Sequence, residues 1–131
     1  MTSCIVLSHG KVAQALVDAS KKIIGECSHL YAVSCEGLNP KTLYEKLTHL
    51  IESEELKDGL FILVGLHGGS CWNVAAKVVQ NKDKVELISG LNLSIVLSFI
   101  TKRDQYSFEE LGEVLMRNGV RGISKFNSKI K

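Results

Sequence analysis

The chain has 131 residues, 45% hydrophobic and 23% charged, with sixteen Lys and Arg against fourteen Asp and Glu. That is the size of one domain, residues 1–131, able to bury a core without a disulfide or metal staple, and the composition excludes disordered and fibrous classes. A net charge of +2 with no basic stripe excludes a nucleic-acid footprint, and the apolar runs fall far short of the roughly 20 residues of a membrane span. Met1-Thr2-Ser3-Cys4 lacks the charged start of a signal peptide, so a cytoplasmic chain is expected. Cys4, Cys27, Cys35 and Cys71 hold no C-x-x-C pair and are expected as free thiols.

Strand and helix patterns alternate along the chain. Cys4 to Leu7 reads as a first strand, followed by apolar residues at helical spacing (Val12, Leu16, Ala19, Ile23) up to Gly25. Leu30 to Ser34 is a second strand. Asn39-Pro40 starts a helix carrying Leu43, Leu47, Leu50 and Ile51. Gly59 to Leu66 is a third strand, apolar on both faces and therefore central in a parallel sheet. Ser70 is expected to cap a helix with Val74, Ala75, Val78 and Val79. Val85 to Ser89 is a fourth strand, and Leu93 to about Ile100 a short helix. Ser107 and Glu110 form a capping box for a helix closed by Gly119. The tail from Val120 to Phe126 is a candidate final strand.

This alternation predicts an open α/β sheet with right-handed crossovers, and such sheets bind ligands beyond the carboxyl ends of their strands. Three polar, glycine-bearing turns meet there: Ser8-His9-Gly10, His67-Gly68-Gly69-Ser70 and Ser89-Gly90-Leu91-Asn92. Gly68-Gly69-Ser70 opens a helix, where glycines permit close backbone approach and first-turn N–H groups suit a phosphate. A plain tight turn would need the same glycines. His9 adds a candidate nucleophile, an imidazole nitrogen at a strand end. Together they predict a histidine that accepts a phosphoryl group, with amides stabilising the transferring charge. There is no G-x-x-x-x-G-K-[ST] loop, no G-x-G-x-x-G turn and no carboxylate cluster for magnesium, so the phosphate must arrive already activated on another protein.

Ile5-Val6-Leu7-Ser8-His9-Gly10, Gly68-Gly69-Ser70 with Asn73-Val74-Ala75, and Ile88-Ser89-Gly90-Leu91-Asn92-Leu93 resemble, in order over nearly the whole chain, the mannose-family enzyme IIA component of the bacterial sugar phosphotransferase system. The resemblance implies an open doubly wound sheet of four parallel strands in order 2-1-3-4, flanked by helices, with a C-terminal antiparallel strand at a homodimer edge. It implies that His9 takes a phosphoryl group from the phosphocarrier HPr and passes it to an enzyme IIB component, which serves the membrane IIC and IID components. Gly68, Gly69, Ser70 and Asn92 would line the phosphate site, with His67 and Cys71 as auxiliary residues and with no cofactor. The family usually reads D-L-F-G-G-S-P after the third strand, whereas this chain reads Gly65-Leu66-His67-Gly68-Gly69-Ser70-Cys71. The aspartate that orients the active histidine thus falls on Gly65.

Three other readings follow from the same residues. The chain is a regulatory or binding relative that lost the oriented histidine, or the phosphocarrier of a dihydroxyacetone kinase, which the Gly68-Gly69-Ser70 and Ser89-Gly90-Leu91-Asn92 turns disfavour. Otherwise it is a metal-binding module in which His9, His67, Cys71 and Cys35 supply zinc ligands, although their spacing matches no known pattern. Cys71, in a helix's first turn, is a candidate reactive thiol. Glu36, after the second strand, is a candidate to reach His9. His29 and His49 are expected at the surface, and Trp72 as a lid or as packing.

Overall fold

A computed structural model describes residues 1–53 and 58–127 of the chain. Four strands, β1 (Ser3–Ser8), β2 (Leu30–Ser34), β3 (Leu60–Val64) and β4 (Val85–Ser89), pair in parallel in the order β2-β1-β3-β4. The expected four-stranded parallel sheet is therefore present. The helices among the described residues are α1 (Val12–Ile24), α2 (Pro40–Ser53), α3 (Ser70–Val79), α4 (Leu93–Lys102) and α5 (Phe108–Arg121). None is long and apolar enough to cross a membrane.

The central strands β1 and β3 are buried along their whole length, and their period-2 alternation divides the core between the two faces. Ile5, Leu7, Ile62 and Val64 pack with Leu43, Leu47 and Ile51 of α2 and with Val74, Ala75 and Val78 of α3. Cys4, Val6, Phe61 and Leu63 face the other way, against α1, α4 and α5. Phe61 stacks on Phe108 with ring centroids 4.5 Å apart and meets the edge of Phe99 at 6.4 Å. Burying each such ring contributes about 1.5–3 kcal/mol. Cys4 is a free thiol in this core, and burial pushes its pKa far above the ordinary range, so it is chemically inert.

Local signals set most element ends. Asn39 Oδ1 accepts from Thr42 N at 2.9 Å at the start of α2. Both halves of the Ser107–Glu110 capping box are made. Ser70, expected as a cap, is instead the first residue of α3, and Gly69 is the N-cap. Gly119 does not end α5, which continues to Arg121. A Cβ at Gly119 would meet the Ile95 side chain of α4 at 3.4–3.7 Å, an ordinary van der Waals contact, and the helix runs on past this glycine packed against α4. The expected antiparallel strand over 120–126 is accordingly absent among the described residues. Val120 and Arg121 are helical, and 123–127 are irregular and exposed.

Arg103, after α4, is buried (8% exposed) and ties the amino ends of the sheet together. Its Nη1 donates to the carbonyls of Ser28 (2.7 Å) and Thr2 (3.3 Å), Nη2 donates to Cys27 Sγ (3.3 Å), and the guanidinium lies 5.2 Å from the Phe99 ring centroid. Arg103→Ala leaves both carbonyls without this donor and removes the stacked cation, an expected loss of about 1–3 kcal/mol in urea unfolding. An unchanged midpoint would show that water replaces the guanidinium at no cost.

Glu86 on β4 lies against α5, where its carboxyl is pushed above the usual range by desolvation first, then by Glu109 and Glu113. A folded-state pKa above the unfolded one means that stability falls as pH rises through the carboxylate range and returns on acidification. Glu86→Gln is therefore expected to stabilise the chain at neutral pH, by about 0.5 kcal/mol or less because the group is largely exposed. The gain should vanish below the ordinary carboxylate pKa, and a gain that persists in acid would assign the effect to packing.

Candidate active site

The strand register brings the predicted turns together. Leu7 pairs with Val33 and with Val64, and Ser8 pairs with Ser34, so the next residues along β1 and β2, His9 and Cys35, emerge side by side at the carboxyl edge. Cys35 N donates to Ser8 O at 3.0 Å, which extends the pairing by one residue. Ser8 Oγ accepts from Ala13 N at 2.7 Å and donates to His9 O at 3.1 Å, fixing the turn into α1. His9 itself is exposed.

The imidazole has a neighbour at each nitrogen. Cys35 Sγ stands 3.3 Å from Nδ1, while Ser70 Oγ and Cys71 Sγ stand 3.4 and 3.6 Å from Nε2. Nε2 thus faces the first turn of α3, whose N–H groups have no partners within the helix and carry its positive dipole end. Gly68 takes a left-handed φ of +79°, which admits glycine readily and turns the chain into Gly69 and α3. The ring borders two cavities. One, of about 190 Å³, is lined by Gly65, Leu66, Gly69 and Cys71, and the other, of about 370 Å³, by Cys35, Glu36, Asn39 and Ser70.

Not every expected residue joins His9. The His67 ring meets the edge of Trp72, with centroids 4.5 Å apart, and lies outside the His9–Cys35–Cys71 group. Trp72 is half-buried and packs against the core. His29 and His49 are at the surface. Asn92 is occupied as the N-cap of α4: Oδ1 accepts from Ile95 N, and Nδ2 donates to Gly119 O, both at 2.9 Å. It borders a separate cavity with Met116 and Val120.

The expectation of free thiols needs correction at two positions. Cys35 and Cys71 are joined as a disulfide, with Cα atoms 6.6 Å apart and 36 residues between them in sequence. The fold makes the pair: one cysteine follows β2, the other opens α3, and β2 ends where α3 begins, at the same sheet edge. Cys71, a candidate reactive thiol, is thus held in a bond with Cys35. The signal that would have found it is the register itself, which sets the residue after β2 beside the residue after β1.

Comparison with known proteins agrees with this architecture. The sequence model described as "EIIA-man: PTS system fructose IIA component" matches residues 3–116. The mannose-specific EIIAB component of Escherichia coli (strain K12) is 30% identical over 98% of this chain, and the match spans 41% of that relative's length. The fructose-specific EIIA component of Bacillus subtilis (strain 168) is also 30% identical, over 85% of this chain and 77% of the relative. In fold, the mannose/sorbose specific IIA subunit from Enterococcus faecalis superimposes with a TM-score of 0.88 at 20% identity, covering 99% of this chain and 98% of that one. With its sheet order, its strand-end histidine and a family match over most of its length, the chain belongs to the mannose-family enzyme IIA components of the sugar phosphotransferase system.

Proposed function

We propose that this chain is a cytoplasmic phosphohistidine carrier that accepts a phosphoryl group from phospho-HPr on His9 and hands it to an enzyme IIB component, upstream of membrane IIC and IID components. The observation that carries this reading is Nε2 of an exposed His9 facing the first turn of α3, with Ser70 Oγ 3.4 Å away. In the accepting step, the lone pair of a His9 ring nitrogen forms the new N–P bond. The donor's N–P bond breaks, and its electron pair returns to the donor imidazole. Ser70 and the first-turn N–H groups of α3 that have no partner within the helix stabilise the equatorial oxygens as charge spreads over them. The second transfer repeats these events with His9 as donor. Asn92 serves this site by holding the β4–α4 turn in place.

The reading is tested by incubating the reduced chain with phosphoenolpyruvate, enzyme I and HPr, followed by intact mass. A carrier gains one acid-labile phosphate. A folded chain that gains none is a regulatory or binding relative instead.

The partner is expected to include a second copy of the chain. β4 is an edge strand, and beside it an apolar groove of about 320 Å³ is lined by Leu87, Ile88, Met116, Val120 and Ile123. Ile123 and Phe126 are 80% and 89% exposed in the single chain, an apolar display that monomers seldom keep uncovered. Light scattering at tens of micromolar protein is expected to give about twice the chain mass, and a monomer at that concentration would rule the dimer out.

A further inference from the structure

Cys35, Cys71 and His9 each place one ligand atom within 4.8 Å of the other two. Two cysteine sulfurs and an imidazole nitrogen are the donor set of a thiophilic divalent cation, and three protein ligands leave a fourth position for solvent or an anion. The spacing also suits such a cation. With metal–sulfur bonds of about 2.3 Å and metal–nitrogen bonds of about 2.0 Å, neighbouring atoms of a tetrahedral site stand roughly 3.5–3.8 Å apart. Cys35 Sγ stands 3.3 Å from His9 Nδ1 and Cys71 Sγ 3.6 Å from Nε2, so each ring nitrogen starts near this distance from one sulfur, and a shift of the exposed ring as the S–S bond opens brings one of them to both. Both cysteines are buried, at 8% and 3% exposure, while His9 is open to solvent and gives a cation its way in.

We propose that the reduced chain binds one divalent cation of the zinc class through Cys35, Cys71 and one ring nitrogen of His9. Reduction comes first. Two equivalents of a small thiol are oxidised to their own disulfide, two electrons pass to the Cys35–Cys71 bond, and each cysteine leaves as a thiol. The cation then displaces one proton from each thiol to solvent and forms two metal–sulfur bonds and one metal–nitrogen bond. Two buried thiolates would be costly alone, but with a divalent cation the net charge of the site is zero. His67, turned toward Trp72, takes no part. The consequence for phosphoryl transfer rests on the carrier reading: the cation draws on the imidazole that takes the phosphate, so the loaded chain is blocked until the metal leaves or the disulfide forms. One site would then have three states: phosphorylatable dithiol, metal-loaded and oxidised.

Cobalt(II) titration of the full chain, in its tris(carboxyethyl)phosphine-reduced and its oxidised forms, reads the site directly. The reduced chain is expected to bind one equivalent, with a thiolate-to-cobalt charge-transfer band and visible d–d bands that zinc then bleaches. The oxidised chain, which is folded, is expected to bind none. Cys35→Ser and Cys71→Ser should each weaken binding by more than the roughly 10–100-fold that even an outer-shell partner is worth. His9→Ala should keep the charge-transfer band while shifting the d–d bands and lowering affinity. A reduced chain with no charge-transfer band, or with no more cobalt than the oxidised chain takes, overturns the proposal. No phosphoryl donor is present, so this result stands or falls separately from the carrier reading.

Discussion

His9→Ala is expected to abolish phosphoryl labelling while leaving the fold intact. The residue is exposed in a turn, and the polar contacts of its ring are long, 3.3 to 3.6 Å. Truncation should therefore change stability by no more than about 0.5 kcal/mol. The catalytic effect has no such ceiling, because the substitution removes the nucleophile itself. His67→Ala is the matched control. It lies two residues from Gly69 but packs on Trp72, and it is expected to retain labelling. Labelling of folded His9→Ala at the wild-type level would show that the assignment is wrong.

Gly65→Asp is expected to speed transfer from HPr by on the order of 10²-fold, the scale on which a single orienting or charge-stabilising group acts. A carboxylate beside a catalytic imidazole fixes its tautomer and stabilises the positive charge that develops on transfer. The structure leaves room for one. Gly65 directly follows β3 and borders the same cavity as His9, and an added Cβ there meets nothing within 4 Å. Close backbone packing therefore does not require glycine. The comparison is single-turnover labelling of reduced, metal-free wild type and variant, with circular dichroism to confirm that both are folded. If the folded variant is no faster, His9 already has an orienting partner, and Cys35 Sγ, 3.3 Å from Nδ1, is the group in position. Glu36 only borders the second cavity beside the ring.

Periodicity and chain-local signals made most of this fold legible in the sequence. The bounds of β2 and β4 and the start and stop of α1 follow from apolar runs and from Gly25, and the Asn39 and Ser107 caps act within three residues of themselves. What escaped was set by tertiary contact. Gly119 reads as a helix stop, yet it lies inside α5, packed beside Ile95 of another helix. Asn92 sits in the right turn, but a cap and the Gly119 carbonyl claim both ends of its amide. The Cys35–Cys71 pair carries no spacing signature, because only the parallel register brings a residue after β2 to the first turn of α3. The nucleophile and its anion-binding turn were legible because each belongs to one strand-end segment. Cys35 and Cys71 were legible as candidate ligands beside His9, but their pairing was not, because it is shared between two segments.

The central claim is that His9 carries phosphate between two proteins rather than merely accepting it. The most direct measurement isolates the labelled chain, removes HPr and phosphoenolpyruvate, and adds a mannose-family IIB domain. Intact mass should then show the chain losing its one acid-labile phosphate and the IIB domain gaining it. A label that stays on the chain, or one that leaves only by hydrolysis while IIB remains unmodified, would contradict the carrier account.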